Sequence, residues 1–250
     1  ILIMGIETTV GIVLKTFSYG DTSKIIRCYT KDFGKISMIA KGIKTSKTLQ
    51  SGYLEPINCL SIHLYHNSKR QLQIFSKAEF DKHFLDLKND IKKLSYSFAV
   101  IELIDKTVNG EESHSQLFNL TKDILSAIND NKGKLNSLFW FFQLHLLSFL
   151  GFKPNLSNCP RCKSDIISAV FSYGELFCNN CIKRGSVKLS KNSLNFLKKL
   201  NNILIDDISS LKASTLERKE VGEFLKQYYN FHIEGLKEIK SLRVMESILI

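Results

Sequence analysis

The residues best placed to do chemistry are two Cys-x2-Cys pairs, Cys159-Pro160-Arg161-Cys162 and Cys178-Asn179-Asn180-Cys181, with fifteen residues between them. Two intervening residues let a tight turn aim both sulfurs at one point, and two such turns complete a tetrahedron of thiolates. The spacing therefore predicts a four-cysteine site for one structural zinc ion. A catalytic zinc would keep a position open, with a histidine or carboxylate nearby, whereas four cysteines fill the shell. A redox pair would need one such motif beside a βαβ unit, and disulfides do not suit a reducing compartment. Ser172-Tyr173-Gly174 lies between the pairs as a hairpin turn, so a ribbon is expected there. The remaining cysteines, Cys28 and Cys59, fall on expected strands and read as core.

A second constellation is cationic. Lys24, Arg27, Lys31, Lys35, Lys41, Lys44 and Lys47 crowd a stretch whose one acid is Asp32. Tyr19, Tyr29, Phe33 and Tyr53 are interleaved with them. Barrels that bind single strands combine a cationic groove with aromatic faces on which bases stack. Each aromatic alone is either core or platform, and the cations alone could be guards of edge strands. The set as a whole points to phosphate contact, and these seven cations are the candidate nucleic-acid-binding residues. A smaller group, Lys183, Arg184 and Lys188, follows the cysteines and either extends that path or forms a solvated face.

No catalytic constellation accompanies these. Gly42-Ile43-Lys44-Thr45 lacks the spacing of a phosphate-cradling loop, and no G-x-G-x-x-G, H-E-x-x-H or G-x-S-x-G occurs. His145 lies on an apolar stretch and reads as a core residue. Glu111-Glu112 and Asp206-Asp207 sit in polar segments and read as solvated loop charges. With no nucleophile, base and orienter in sight, the chain is read as a binding protein and not an enzyme.

The elements that must position these residues change character along the chain. Thr9 to Leu14, Lys24 to Tyr29, Lys35 to Ala40, Asn58 to Leu64 and Leu72 to Phe75 read as five short strands joined by tight turns. Five such strands suit a small barrel, of OB or SH3-like type. From Leu87 the period becomes helical, with Leu87, Ile91, Leu94, Phe98 and Ile101 in one stripe and Leu117, Leu120, Ile124 and Ile128 in another. Leu135 to Leu150 is apolar nearly all round, which predicts a buried central helix capped at Gly151. Helices resume after the cysteines, one capped by Ser190 and one from Thr215 to about Gly235. The expected architecture is α+β and multidomain: residues 1–85 form the barrel, and 86–250 a helical domain with a zinc-binding insertion at about 156–186.

Composition agrees. The 250 residues are 44% hydrophobic and 24% charged, with net charge +11, which favours a polyanionic partner. Residues 1–85 hold 12 basic against 6 acidic side chains, whereas 86–155 are balanced. The most apolar stretch is too short to span a bilayer, and no signal-peptide core is seen, so a cytoplasmic location is expected.

Taken in order, several segments resemble the RecO family of bacterial recombination mediators. They are Gly11 to Lys15, Tyr19-Gly20-Asp21, Phe33-Gly34-Lys35, Ala40-Lys41-Gly42, Leu54-Glu55-Pro56, Ala78-Glu79, Leu150-Gly151-Phe152 and Ser241-Leu242-Arg243. The resemblance implies an N-terminal OB-fold, a helical C-terminal domain and a structural zinc; some members lack part of the cysteine set, which this chain keeps whole. It also implies binding to single- and double-stranded DNA and annealing of complementary strands. RecR and the single-strand-binding protein would be partners, RecA would be helped to load, and the protein would work at the nucleoid. The rival readings are a zinc-ribbon RNA-binding or transcription-associated protein, and a helical scaffold organising protein contacts.

Overall fold

The structure, a computed structural model, describes residues 5–45, 50–110, 112–236 and 239–243. Five strands, β1 (Ile6–Tyr19), β2 (Ser23–Thr30), β3 (Gly34–Ala40), β4 (Cys59–Tyr65) and β5 (Leu72–Lys82), close into a barrel in the order β1-β2-β3-β5-β4. β3 and β5 run parallel, from Ser37 opposite Leu72 to Ile39 opposite Ile74, and every other pairing is antiparallel. This closure is the OB arrangement, so it decides between the two barrel types that strand count left open. A short helix, α1 (Gln50–Tyr53), lies between β3 and β4.

The alternation that predicted the strands also sets their faces. On β3, Ile36, Met38 and Ala40 point inward while Lys35, Ser37 and Ile39 are partly exposed. The interior is filled by Val13, Ile26, Cys28, Ile36, Met38, Leu60, Ile62 and Leu64. β1 is longer than the sequence period suggests because it serves two partners, pairing β4 through its first half and β2 through its second. A register shift between Val13 and Lys15 lets it bend from one to the other. Gly11 sits at this overlap, where a Cβ would lie 2.8 Å from Ile62 Cδ1 and 3.2 Å from Thr30 Cγ2. Cys28 and Cys59 are fully buried, as expected, and burial together with nearby Asp81 pushes the Cys59 thiol up to about 12. Both remain thiols at neutral pH.

Beyond the barrel come α2 (Ile91–Thr107), α3 (Ser115–Asn129) and α4 (Leu135–Phe149), then a small sheet of β6 (Ala169–Ser172), β7 (Glu175–Cys178) and β8 (Val187–Leu189), and finally α5 (Lys191–Asn202) and α6 (Thr215–His232). The chain divides into two compact units between Ser126 and Ala127. The first therefore holds the barrel, α2 and most of α3. Asp90 caps α2, its carboxylate accepting from the backbone N–H of Lys92 at 2.7 Å and Lys93 at 3.2 Å. Phe118 of α3 packs against Tyr29 with ring centroids 5.9 Å apart. Lys122 of α3 pairs with Asp81 of β5 at 2.5 Å.

The second unit is built round α4, whose Leu138, Phe142, Leu144, Leu146 and Leu147 are all fully buried. Gly151 follows its end in the left-handed conformation (φ 81°) that such a terminus favours. Tyr229 of α6 donates its hydroxyl to the Gln143 carbonyl at 2.8 Å. Ser190 caps α5, and Ser214 with Glu217 forms a capping box on α6. The sheet, ordered β7-β6-β8, rests on α6 through Phe171, whose ring lies 5.7 Å from Phe224 and 5.6 Å from Tyr228.

Candidate metal centre and nucleic-acid interface

The small sheet brings the two cysteine pairs together. β6 and β7 are joined by Tyr173-Gly174, both with positive φ (50° and 79°), a primed turn matched to strand twist. The hairpin register sets Ala169 opposite Cys178, so the second pair begins where β7 ends. In the first pair, Lys163 N–H donates to the Cys159 carbonyl at 2.8 Å and Cys159 N–H to the Ser164 carbonyl at 2.9 Å. The second turn is closed by Cys181 and Ile182, both donating to the Cys178 carbonyl at 3.1 Å. Arg161 ties the turns together, donating to the Cys181 carbonyl at 3.0 Å.

All four sulfurs lie within 4.8 Å of one another, and Cys162 and Cys178 approach to 3.6 Å. Thiolates on a tetrahedral ion with bonds of about 2.3 Å would stand about 3.8 Å apart. The four side chains could thus hold a metal ion with little movement. Burial opposes ionisation of Cys159, but backbone N–H groups of Cys162, Cys178 and Arg161 outweigh it and bring the thiol down to about 6. Cys181 is pushed up to about 12, first by its hydrogen bond with Cys162. An ion that takes all four sulfurs must displace that proton.

The barrel cations are less uniform than their spacing suggests. Asp105 of α2, its side chain 4% exposed, is gripped by Lys15 Nζ at 2.6 Å and Arg27 at 2.8 Å. Lys35 Nζ donates to the Asp105 backbone carbonyl at 2.6 Å. Burial alone would raise the Asp105 pKa, yet the hydrogen bonds from Lys15 and Arg27 hold the carboxyl below its ordinary value. Two cations share the carboxylate and a third takes the backbone carbonyl, so the patch keeps a positive excess. Lys24 is also engaged, reaching the Ser51 carbonyl at 3.3 Å and Glu55 at 3.2 Å. Lys44 bridges two turns through Nζ to the Gly20 carbonyl at 2.7 Å. Lys31, Lys41, Lys183, Arg184 and Lys188 are exposed, while Lys47 lies outside the described residues, as does Glu111.

Sequence reasoning missed Lys15 and Asp105, whose one signal was an acid on an otherwise apolar helical stripe. It also passed over Lys69 and Arg70 on the β4–β5 turn. That turn is held by buried Gln73, which accepts from Asn67 N–H at 2.8 Å and donates to the carbonyls of Asn67 (3.1 Å) and Arg70 (2.7 Å). Of the four interleaved aromatics, Tyr29 is buried, Phe33 stacks on His66 at 4.2 Å and Tyr53 packs on Phe80 at 4.6 Å. Tyr19 is 54% exposed, and Phe17, which the sequence did not single out, is 46% exposed beside it.

Residues 4–84 match the family model for the Recombination protein O N terminal, and residues 88–243 match that for the Recombination protein O C terminal. The chain belongs to the RecO family. The RecO N-terminal match takes in the barrel, and the RecO C-terminal match takes in all four clustered cysteines. Proteins named DNA repair protein RecO are similar over their whole length. That of Chloroherpeton thalassium is 27% identical, over 98% of this chain and 99% of the relative. That of Alkaliphilus metalliredigens is 29% identical over 96% and 98%, and that of Flavobacterium psychrophilum 24% over 96% and 98%. RecO membership makes this a DNA-repair protein. Among the described residues, no helix is long and apolar enough to cross a membrane.

Proposed function

We propose that this chain binds single- and double-stranded DNA, anneals complementary strands and assists the loading of RecA onto DNA coated by single-strand-binding protein, with RecR as a further partner. The observation that carries the reading is an OB-type barrel with a cationic outer face in a chain of the RecO family. Its physical basis is phosphate neutralisation: cations that screen two strands at once lower their repulsion and leave the base edges free to pair. No turnover chemistry is needed for this, and the protein is read as acting in the cytoplasm, at the nucleoid. The cysteine centre is assigned one structural zinc ion, since a closed four-thiolate shell suits zinc and leaves no open position for substrate. The division into a barrel domain (1–85) and a helical domain with an inserted ribbon (86–250) is kept as part of the proposal.

Binding of this kind is electrostatic. Changing Lys41, Lys44 and Lys47 together to Glu is expected to weaken single-strand binding at least about 10-fold near 50 mM salt. The slope of log K against log salt should fall by about 2 for three lost contacts. Fluorescence anisotropy with a labelled oligonucleotide measures both. Unchanged affinity and slope would place the phosphate contacts elsewhere.

A further inference from the structure

The barrel carries an apolar row on its outer face. The strand register aligns Phe17 of β1 with Ile25 of β2, Ile25 with Ile39 of β3, and Ile39 with Ile74 of β5. One side chain from each of four hydrogen-bonded strands therefore stands in a single line. Their chain neighbours Ile26, Met38 and Phe75 point into the core, which fixes the row as outward-facing. Phe17 is 46% exposed and the three isoleucines are partly exposed. At about 4.8 Å between strands the row is about 14 Å long, room for two to four bases.

Cations flank it on both sides. Lys15 and Arg27, cross-strand partners of each other, form the next row, and the Arg27 guanidinium lies 6.0 Å from the Phe17 ring centroid. Asp105 fixes both of these side chains without cancelling their combined charge. On the other side stand Tyr19, Lys44 at the Gly20 turn, and exposed Lys41 directly after β3. An apolar line bordered by positive charge complements a polymer with flat apolar faces and a phosphate at every step. Only a single strand offers those faces, because a duplex keeps them stacked inside.

We infer that Phe17, Ile25, Ile39 and Ile74 form a base-holding platform for single-stranded DNA, with Phe17 as its stacking ring. The inference rests on the DNA-binding reading above and adds to it where the bases sit and why single strands are preferred there. A platform of this type would hold one strand by its faces while the cations meet its phosphates.

The test uses the full chain with Phe17→Ala, Phe17→Leu and Phe17→Trp, binding a labelled oligothymidylate and a duplex of equal length across a salt series. The expected result is a 5- to 100-fold loss of single-strand affinity for Phe17→Ala. Phe17→Leu should recover little and Phe17→Trp should restore it, with duplex affinity and the salt slope unchanged. Thermal melting of the three variants checks that the barrel persists, and the Trp variant separates stacking from folding. If Phe17→Ala binds the single strand like the unmodified chain while the lysine variant does not, the platform is wrong and the DNA reading stands. Equal losses on single strand and duplex would also overturn the platform. If the unmodified chain binds neither, the DNA reading itself fails.

Discussion

Replacing Cys159 by Ser is expected to reduce bound zinc from one ion per chain to none and to lower the stability of the C-terminal unit. The reason lies in the donor set. A serine hydroxyl stays protonated where Cys159 is already disposed to ionise, because three backbone N–H groups surround its sulfur. Losing one thiolate opens the shell of a closed site. Metal that binds the folded form alone stabilises it by about 4 kcal/mol when free zinc is 1,000-fold above the dissociation constant. Collapse should be local at first, since β6 keeps Phe171 buried against α6 without help from the ion. Acid should release the metal in the same way as the substitution, because protons compete for the sulfurs. Atomic absorption on the purified variant, with calorimetry beside it, measures both effects. A variant that retains one zinc would contradict the four-cysteine assignment.

The second large effect is expected from Asp105→Asn. This change leaves Lys15, Arg27 and Lys35 facing one another with no anion between them. Breaking a buried pair costs about 3–5 kcal/mol, but here the Lys15 and Arg27 side chains are 47% and 35% exposed, so water screens part of the loss. A decrease of about 1–3 kcal/mol in denaturant unfolding is the expected outcome. The pH dependence gives a second readout. The Asp105 carboxyl is held below its ordinary value in the folded state. Its contribution is therefore full above the unfolded value of about 3.9 and disappears as pH falls through the lower folded value. The acid limb of the stability curve below about pH 4 should be flatter in the Asn variant. Parallel curves for the two proteins would mean that the ion pairs contribute nothing.

The parts of this molecule that could be read in advance are those written in local sequence. The cysteine knuckles are local because two residues decide each turn, and Tyr173-Gly174 announces the hairpin that joins them. The alternation of Ile36, Met38 and Ala40 likewise declares an inward face before any partner is known. β8 escaped notice because three residues are too few to show a period. The Asp105 cluster was hidden for another reason. Lys15, Arg27 and Asp105 are far apart in sequence, and only the docking of α2 on β1 and β2 joins them. The apolar row of Phe17, Ile25, Ile39 and Ile74 depends on register across four strands, including the shift after Val13. Tyr29, which its spacing among lysines allowed to be either core or platform, is core, buried against Phe118.

The most direct test of the function is to follow the annealing of two complementary labelled oligonucleotides with and without the protein, across a salt series and without ATP. The account predicts accelerated annealing that fades as salt rises. Binding to neither strand at low salt, or tight binding with no acceleration, would contradict it.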